Sequence, residues 1–386
     1  MRRAFIATVS LIALAALSGC AEPLPDGRVT PAYKPNLASD EGGLWQLMDK
    51  EEAGLRNSRA VIRDADLNAY IDGVVCRLSP DHCSDIRVYI LRIPAFNAQA
   101  APNGMLQIWT GALLRTQNEA QLAAILGHEL GHYLQRHSLQ KLRDARAKSD
   151  FGMFLALGLT GAGVGAAGSA ANLLLLASMF GFDRDQEREA DTIGMELMTK
   201  AGYRASETPK IWDEIIAENH ADKDHKDSDL FFASHPAPEE RAATMRKQAE
   251  QLPATGEIGA ENYMAHLKPF RSMLIEDELR LGKYDRTLVV LQALIASDGE
   301  DGTLAYYLGE TYRLRNTGND WVQARDAYAR ALKFGDFPPE IYRSLGLMEL
   351  RGSERADARQ SFRQYLERRP NAPDRQMILS YINSED

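Results

Sequence analysis

Cysteine is nearly missing from this chain: 386 residues hold three, at positions 20, 76 and 83. That scarcity excludes a disulfide-rich scaffold. Positive charge is also short, with 45 Lys and Arg against 54 Asp and Glu for a formal net charge of -9. The two signs are interspersed, so no basic face offers itself to phosphates, and nucleic acid is excluded as a partner. Apolar material is not short. At 45% hydrophobic content the chain has room for two domains with cores of their own, which rules out a disordered protein.

Arg2 and Arg3 precede an apolar run from Ala4 to Leu17, the length of a signal-peptide core and too short for a membrane span. Leu17-Ser18-Gly19-Cys20 resembles a bacterial lipobox, in which Cys20 is lipidated and becomes the mature N-terminus. The alternative is an ordinary secretory signal with Cys20 idle. With Ala21 rather than Asp after the cysteine, the lipobox resemblance implies an anchor at the periplasmic face of the outer membrane. The alternative implies the soluble periplasm. Export brings the chain into an oxidising compartment, so Cys76 and Cys83, with Pro80 and Asp81 between them, are expected to form a disulfide. A metal pair with His82 is rejected, because nothing nearby completes a ligand set.

Segment 20–43 carries four prolines and few large apolar groups, and reads as a tether after a signal peptide over 1–19. A core begins near Leu44. From Trp45 to Leu78 the apolar positions recur at helical spacing, as in Val61, Ile62, Leu67, Tyr70, Ile71 and Val74. Ile86 to Ile93 and Met105 to Thr110 are short β-rich runs, expected as two strands of a small sheet. Asn118 with Gln121 marks a helix start, and the pattern predicts one long helix to about Lys148. The expected fold is mainly α with a small β-sheet, an α+β domain over 44–250.

That long helix carries His128-Glu129-Leu130-Gly131-His132. Histidines four apart project from one face, where both imidazoles reach a single ion, and Glu129 lies close enough to take a proton from water held there. A catalytic zinc needs a third protein ligand and an open position. Glu187 and Asp191, one turn apart, meet that need: Glu187 as ligand, Asp191 holding a ligand histidine in place from behind.

Together these motifs resemble the CAAX-prenyl-protease-like zinc metallopeptidase family, which joins HExxH to a later ExxxD within a zincin-like fold. The resemblance covers about 44–250 and includes Phe96-Asn97-Ala98-Gln99-Ala100-Ala101-Pro102-Asn103-Gly104, a loop that the family sets beside the cleft. It implies His128, His132 and Glu187 as ligands of one zinc ion and Glu129 as general base. Gln99 stands where the family more often has an aromatic residue. The family also has a histidine near the metal at the position of His235, in Ser234-His235-Pro236. Two roles are open to it: a fourth ligand that keeps the enzyme latent, or a donor to the oxyanion, a role that Arg241 could share. An extended substrate is expected along Asn97, Ala98, Met105, Leu106 and Gln107, pairing with an edge strand near Met105 to Trp109.

Residues 151–182 hold no charge and are rich in Gly and Ala. A single membrane crossing would separate Glu187 from the histidines, so a hairpin or lid over the cleft is expected instead. After a linker at 251–262, Gly282, Gly318 and Gly352 mark three turns, and Leu291, Tyr328 and Phe362 recur 37 and then 34 residues apart. Thirty-four is the tetratricopeptide period, which predicts an all-α solenoid over 263–386, either a stabilising appendage or a concave surface for a protein partner. Anchor, peptidase domain and repeats together resemble the periplasmic proteases that attend outer-membrane β-barrel assembly. The resemblance implies outer-membrane β-barrel proteins as substrates and the assembly machinery as partner.

Overall fold

The computed structural model describes residues 27–147, 181–222, 235–236 and 238–384. The expected signal peptide, Cys20, the start of the tether and most of the apolar run 151–182 lie outside them. Helix α1 (Asp40–Arg56) begins where Ser39 accepts from the Gly42 amide, and α2 (Ala65–Leu78) where Asp64 accepts from Leu67. Val61 and Ile62 belong to neither helix. Val61 bridges Leu91 in antiparallel fashion and the Ile62 amide donates to Ile90 O at 2.9 Å. Their helical spacing is a coincidence of an extended segment that must cover a sheet edge. Cys76 and Cys83 are joined as a disulfide across the turn that ends α2.

Three strands follow: β1 (Arg87–Leu91), β2 (Ala98–Ala100) and β3 (Met105–Trp109). Their order is β1-β3-β2, with β1 parallel to β3 (Arg87 opposite Met105) and β2 antiparallel to it (Gln99 opposite Gln107). The strand expected at the edge is therefore central. Met105, Leu106 and Gln107 are fully buried and their backbone is committed on both sides, so they cannot pair with a substrate.

After α3 (Thr110–Arg115), helix α4 (Glu119–Leu134) starts at Asn118, whose side chain accepts from the Gln121 amide at 2.9 Å. Every residue of α4 is buried. The single long helix expected to Lys148 is instead two, because Arg136 adopts a left-handed φ of 55° and α5 (His137–Ala147) sets off in a new direction. Tertiary contacts hold that break: Arg136 donates to Glu41 Oε1 at 3.1 Å and to Gly27 O at 2.9 Å, and lies over the Tyr33 ring.

Helix α6 (Arg184–Lys200), capped by a reciprocal Asp183 and Gln186 pair, packs antiparallel on α4 at backbone contact. A Cβ on Gly131 would meet Ala190 Cα at 2.9 Å, and one on Gly194 would meet His128 N at 2.8 Å. Only glycine permits this approach, and it is what brings the face of Glu187 and Asp191 onto the two histidines. Helices α7 (Thr208–Ala221) and α8 (Pro238–Glu250) complete the wall around them.

The remaining helices are α9 (Ala260–Leu267), α10 (Arg271–Arg280), α11 (Tyr284–Asp298), α12 (Gly302–Arg315), α13 (Asp320–Phe334), α14 (Glu340–Arg351), α15 (Arg355–Arg368) and α16 (Arg375–Asn383). Gly282, Gly318 and Gly352 all fall in the turns that join α10 to α11, α12 to α13 and α14 to α15. Gly309 of α12 lies against the Tyr328 ring and Gly346 of α14 against the Phe362 ring, the same contact in successive helix pairs. Residues 251–262, expected as a linker, are instead bound to the metallopeptidase part. Ile258 O accepts from Ala120 at the start of α4, and Glu257 exchanges backbone bonds with Gly202 and Arg204. One apolar core runs from Val29 to Met348. Where α3, α7, α10 and α11 meet, Arg115 is buried between Glu218 and Glu278, at 2.8 and 2.9 Å.

Candidate metal centre

His128 and His132 project from one face of α4, with Nε2 atoms 3.0 Å apart. Glu187 reaches them from α6, its carboxylate 3.4 Å from His132 Nε2 and 3.6 Å from His128 Nε2. His235 adds Nδ1 at 3.0 Å from Glu187 Oε1 and 3.4 Å from His128 Nε2. All four residues are buried, and one donor atom from each lies within 4.8 Å of the others. Glu129, the residue after His128 on α4, stands 3.8 Å from His235 Nε2.

The hydrogen bonds behind the cluster determine which atoms face it. His128 Nδ1 lies 2.9 Å from Asp191 Oδ1, and an ionised carboxylate only accepts, so Nδ1 carries the proton and Nε2 presents a lone pair. His132 Nδ1 is likewise engaged, at 2.8 Å from His137 Nδ1. Two imidazole nitrogens and a carboxylate oxygen thus converge on one point. Such a buried set of nitrogen and carboxylate ligand atoms could hold a metal ion.

Arg241 supplies the counter-charge. Its guanidinium lies on the Trp212 ring and donates to Asp191 Oδ2 at 2.8 Å and Oδ1 at 2.6 Å, while its remaining nitrogen pairs with Glu187. Burial works against ionising Asp191, but Arg241 outweighs it and holds the carboxyl at about 2. Burial opposes Glu187 as well, yet His235 and Arg241 keep it well below the usual range. Because this guanidinium is taken up by two carboxylates, the expected oxyanion role of Arg241 is not met: it clamps Glu187 and Asp191 instead. Burial pushes Glu129 up, as befits a proton acceptor in a dry cleft, and lowers His132, which stays neutral and able to ligate.

Strand β2 borders the site. Asn97 O accepts from Trp109 and Ala101 N donates to Met105, so strand alternation turns the backbone of Ala98 and Ala100 to the free edge. There the Ala100 amide donates to Glu129 Oε2 at 3.1 Å. The Asn97 side chain is buried, with neither of its polar atoms partnered among the described residues. Gln99 spends its amide on Gln107 across the sheet, at 3.1 Å. Beside His128 and Glu129 an apolar pocket is lined by Phe96, Ile125, Met195, Ile211 and Trp212. Phe182, the last residue of the apolar run, stacks on the His132 ring with centroids 3.7 Å apart.

Sequence reasoning missed His137, Phe182 and the Ala100 amide. A histidine five residues after His132 was visible, but only the break at Arg136 brings it back over the ligand.

Helix-borne histidines, a carboxylate from an antiparallel neighbour and a glutamate beside them define a metallopeptidase of the HExxH class. Residues 62–249 match the model of Peptidase family M48, and this segment is a peptidase M48 domain. The chain is 25% identical over 307 residues to the beta-barrel assembly-enhancing protease of Escherichia coli K12, covering 69% of this chain and 62% of that one. A Vibrio cholerae counterpart is 30% identical over 213 residues, 52% of this chain and 42% of the relative. The mitochondrial metalloendopeptidase OMA1 of Schizosaccharomyces pombe is 31% identical over 189 residues, 48% and 52%. The alignments thus span less than two thirds of the length of each of these relatives.

Proposed function

We propose that this chain is a zinc-dependent endopeptidase of the bacterial cell envelope that hydrolyses misfolded or stalled outer-membrane proteins and assists their assembly. The observation that carries the reading is the convergence of His128 Nε2, His132 Nε2 and Glu187 beside Glu129. When bound there, zinc would polarise the scissile carbonyl and lower the pKa of the attacking water to about 7.

The chain's own groups do the rest. Glu129 Oε1 takes the proton of the attacking water and returns it to the leaving amine, while the Ala100 amide holds Oε2 in place. The outward carbonyls and amide of Ala98 and Ala100 pair with an extended substrate, the buried Asn97 amide adds a polar contact to its backbone, and the pocket beside Ile125 and Trp212 takes an apolar side chain. Backbone pairing of this kind demands little of the sequence.

His235 supports a second reading, a latent state. Its Nδ1 faces Glu187 and His128 as a fourth donor, filling the position that water needs, and a protease without an energy source benefits from that restraint. The bacterial relatives are named for β-barrel assembly, which supports outer-membrane β-barrel substrates. An anchor at Cys20 and a tetratricopeptide-like array docked on the assembly machinery complete the proposal; the matching ring contacts of Gly309 and Gly346 favour such an array. Casein or a denatured outer-membrane protein, incubated with the purified chain with and without chelator, tests it alongside the zinc content. Chelator-insensitive cleavage, or no cleavage by zinc-loaded protein in either the parent or His235→Ala, would overturn it.

A further inference from the structure

His132 is held differently from His128. His128 leans directly on a carboxylate, whereas His132 Nδ1 meets a second imidazole, that of His137, at 2.8 Å. His137 is wholly buried, and its other nitrogen, Nε2, lies 3.3 Å from Glu189 Oε2. The Glu189 carboxylate is itself located by Gln135, whose Nε2 donates to Oε1. In an unbroken helix, residue 137 would stand about 140° round the axis from residue 132, out of reach. The left-handed turn at Arg136, tied to Glu41 and Gly27, is what folds it back.

Proton bookkeeping along this chain runs one way. The Glu189 carboxylate accepts, so His137 Nε2 carries a hydrogen and its Nδ1 is left as an acceptor. His132 Nδ1 must then donate to it, which leaves His132 Nε2 as the lone pair facing Glu187 and His128. We propose that His137 is a positioning residue for the metal, selecting the ligating tautomer of His132 and fixing its ring, with Glu189 setting the polarity of the relay. The inference rests on the metal-binding reading of the site. It makes α6 the source of three distinct supports: Glu187 as ligand, Asp191 behind His128, and Glu189 behind His132 through His137.

The test uses the full chain and measures zinc affinity by competition with a chromogenic chelator. His137→Leu removes the acceptor, while His137→Asn returns an amide oxygen close to the place of Nδ1. Affinity is expected to fall roughly 10–100-fold in His137→Leu, the range for losing the partner of a ligating histidine, and to recover to within a few-fold of the parent in His137→Asn. Parent affinity in a folded His137→Leu, or equal losses in both variants, would overturn the relay. If His137→Leu fails to fold, Glu189→Leu carries the test from a half-exposed position: a several-fold loss at an unchanged melting temperature supports the relay, and no loss overturns it. Parent protein that binds no zinc would instead sink the metal reading itself.

Discussion

The Ala100 amide donates to Glu129 Oε2 at 3.1 Å, joining the free edge of the sheet to the carboxylate beside His128. The bond leaves Glu129 one oxygen for proton transfer. Glu129→Gln keeps a hydrogen-bonding oxygen for Ala100 but loses the basic site. Peptide hydrolysis is expected to fall by roughly 10²–10⁴-fold with zinc content and melting temperature unchanged. Turnover within a few-fold of the parent would remove Glu129 from the reaction.

Glu187→Ala should lose metal together with activity. The substitution leaves only the two α4 histidines and His235 as donors, and it releases a nitrogen of Arg241 into a buried site beside them. That added positive charge disfavours a cation further. Full zinc occupancy in this variant, read by elemental analysis, would exclude Glu187 as a ligand.

His235→Ala separates restraint from catalysis by the sign of its effect. With Nδ1 set at 3.0 Å from Glu187 and 3.4 Å from His128, the imidazole competes with water, and basal cleavage of an unfolded substrate is expected to rise several-fold. A fall on the order of 100-fold would give it the oxyanion instead.

Arg115 holds a buried ion-pair junction away from the cleft. It is 3% exposed and is the cation between Glu218 and Glu278, which are as deeply buried. Removing it takes the shared guanidinium from two buried carboxylates and leaves Glu218 to the more distant Arg286, at 3.4 Å, so Arg115→Ala is expected to lower unfolding free energy by about 3–5 kcal/mol. Chemical denaturation of the full chain measures this, and a loss under about 1 kcal/mol would show that water reaches the junction.

Glu214 gives the fold a pH dependence of its own. Burial, reinforced by Glu218, pushes its carboxyl up to about 8. An unfolded Glu titrates near about 4.3, so between these values the folded chain keeps a proton that the unfolded chain has released. Stability from this group is therefore full below about pH 4.3 and is lost as pH rises through about 8. Glu214→Gln should gain in melting temperature relative to the parent between about pH 5 and pH 9. An offset that does not change with pH would place the titration elsewhere.

Local spacing made the candidate metal ligands readable. His128, Glu129 and His132 share one helix turn, and Glu187 with Asp191 share another, so periodicity alone set each group on one face. What periodicity could not carry was pairing at a distance. The order β1-β3-β2 depends on which strand the 94–104 loop returns beside, and a strand's own residues do not say whether it has one neighbour or two. Met105 to Trp109 show the cost of that blindness. The break at Arg136 was invisible for a similar reason, because its positive φ is held by Glu41 and Gly27, 95 and 109 positions away. Val61 and Ile62 misled because a short extended run can mimic helical spacing by chance.

Strand β2 is only three residues long, and one of its outward amides already belongs to Glu129. A visiting polypeptide finds there a footing of two or three hydrogen bonds, each worth about 0.5–1.5 kcal/mol net. That is too little to peel a strand from a finished barrel, whose every backbone group is already matched by its neighbours. A polypeptide whose backbone is unpaired has nothing to give up before pairing with such an edge. If substrates pair there as proposed, the shortness of β2 would sort them by whether their backbone is spoken for rather than by any sequence they carry.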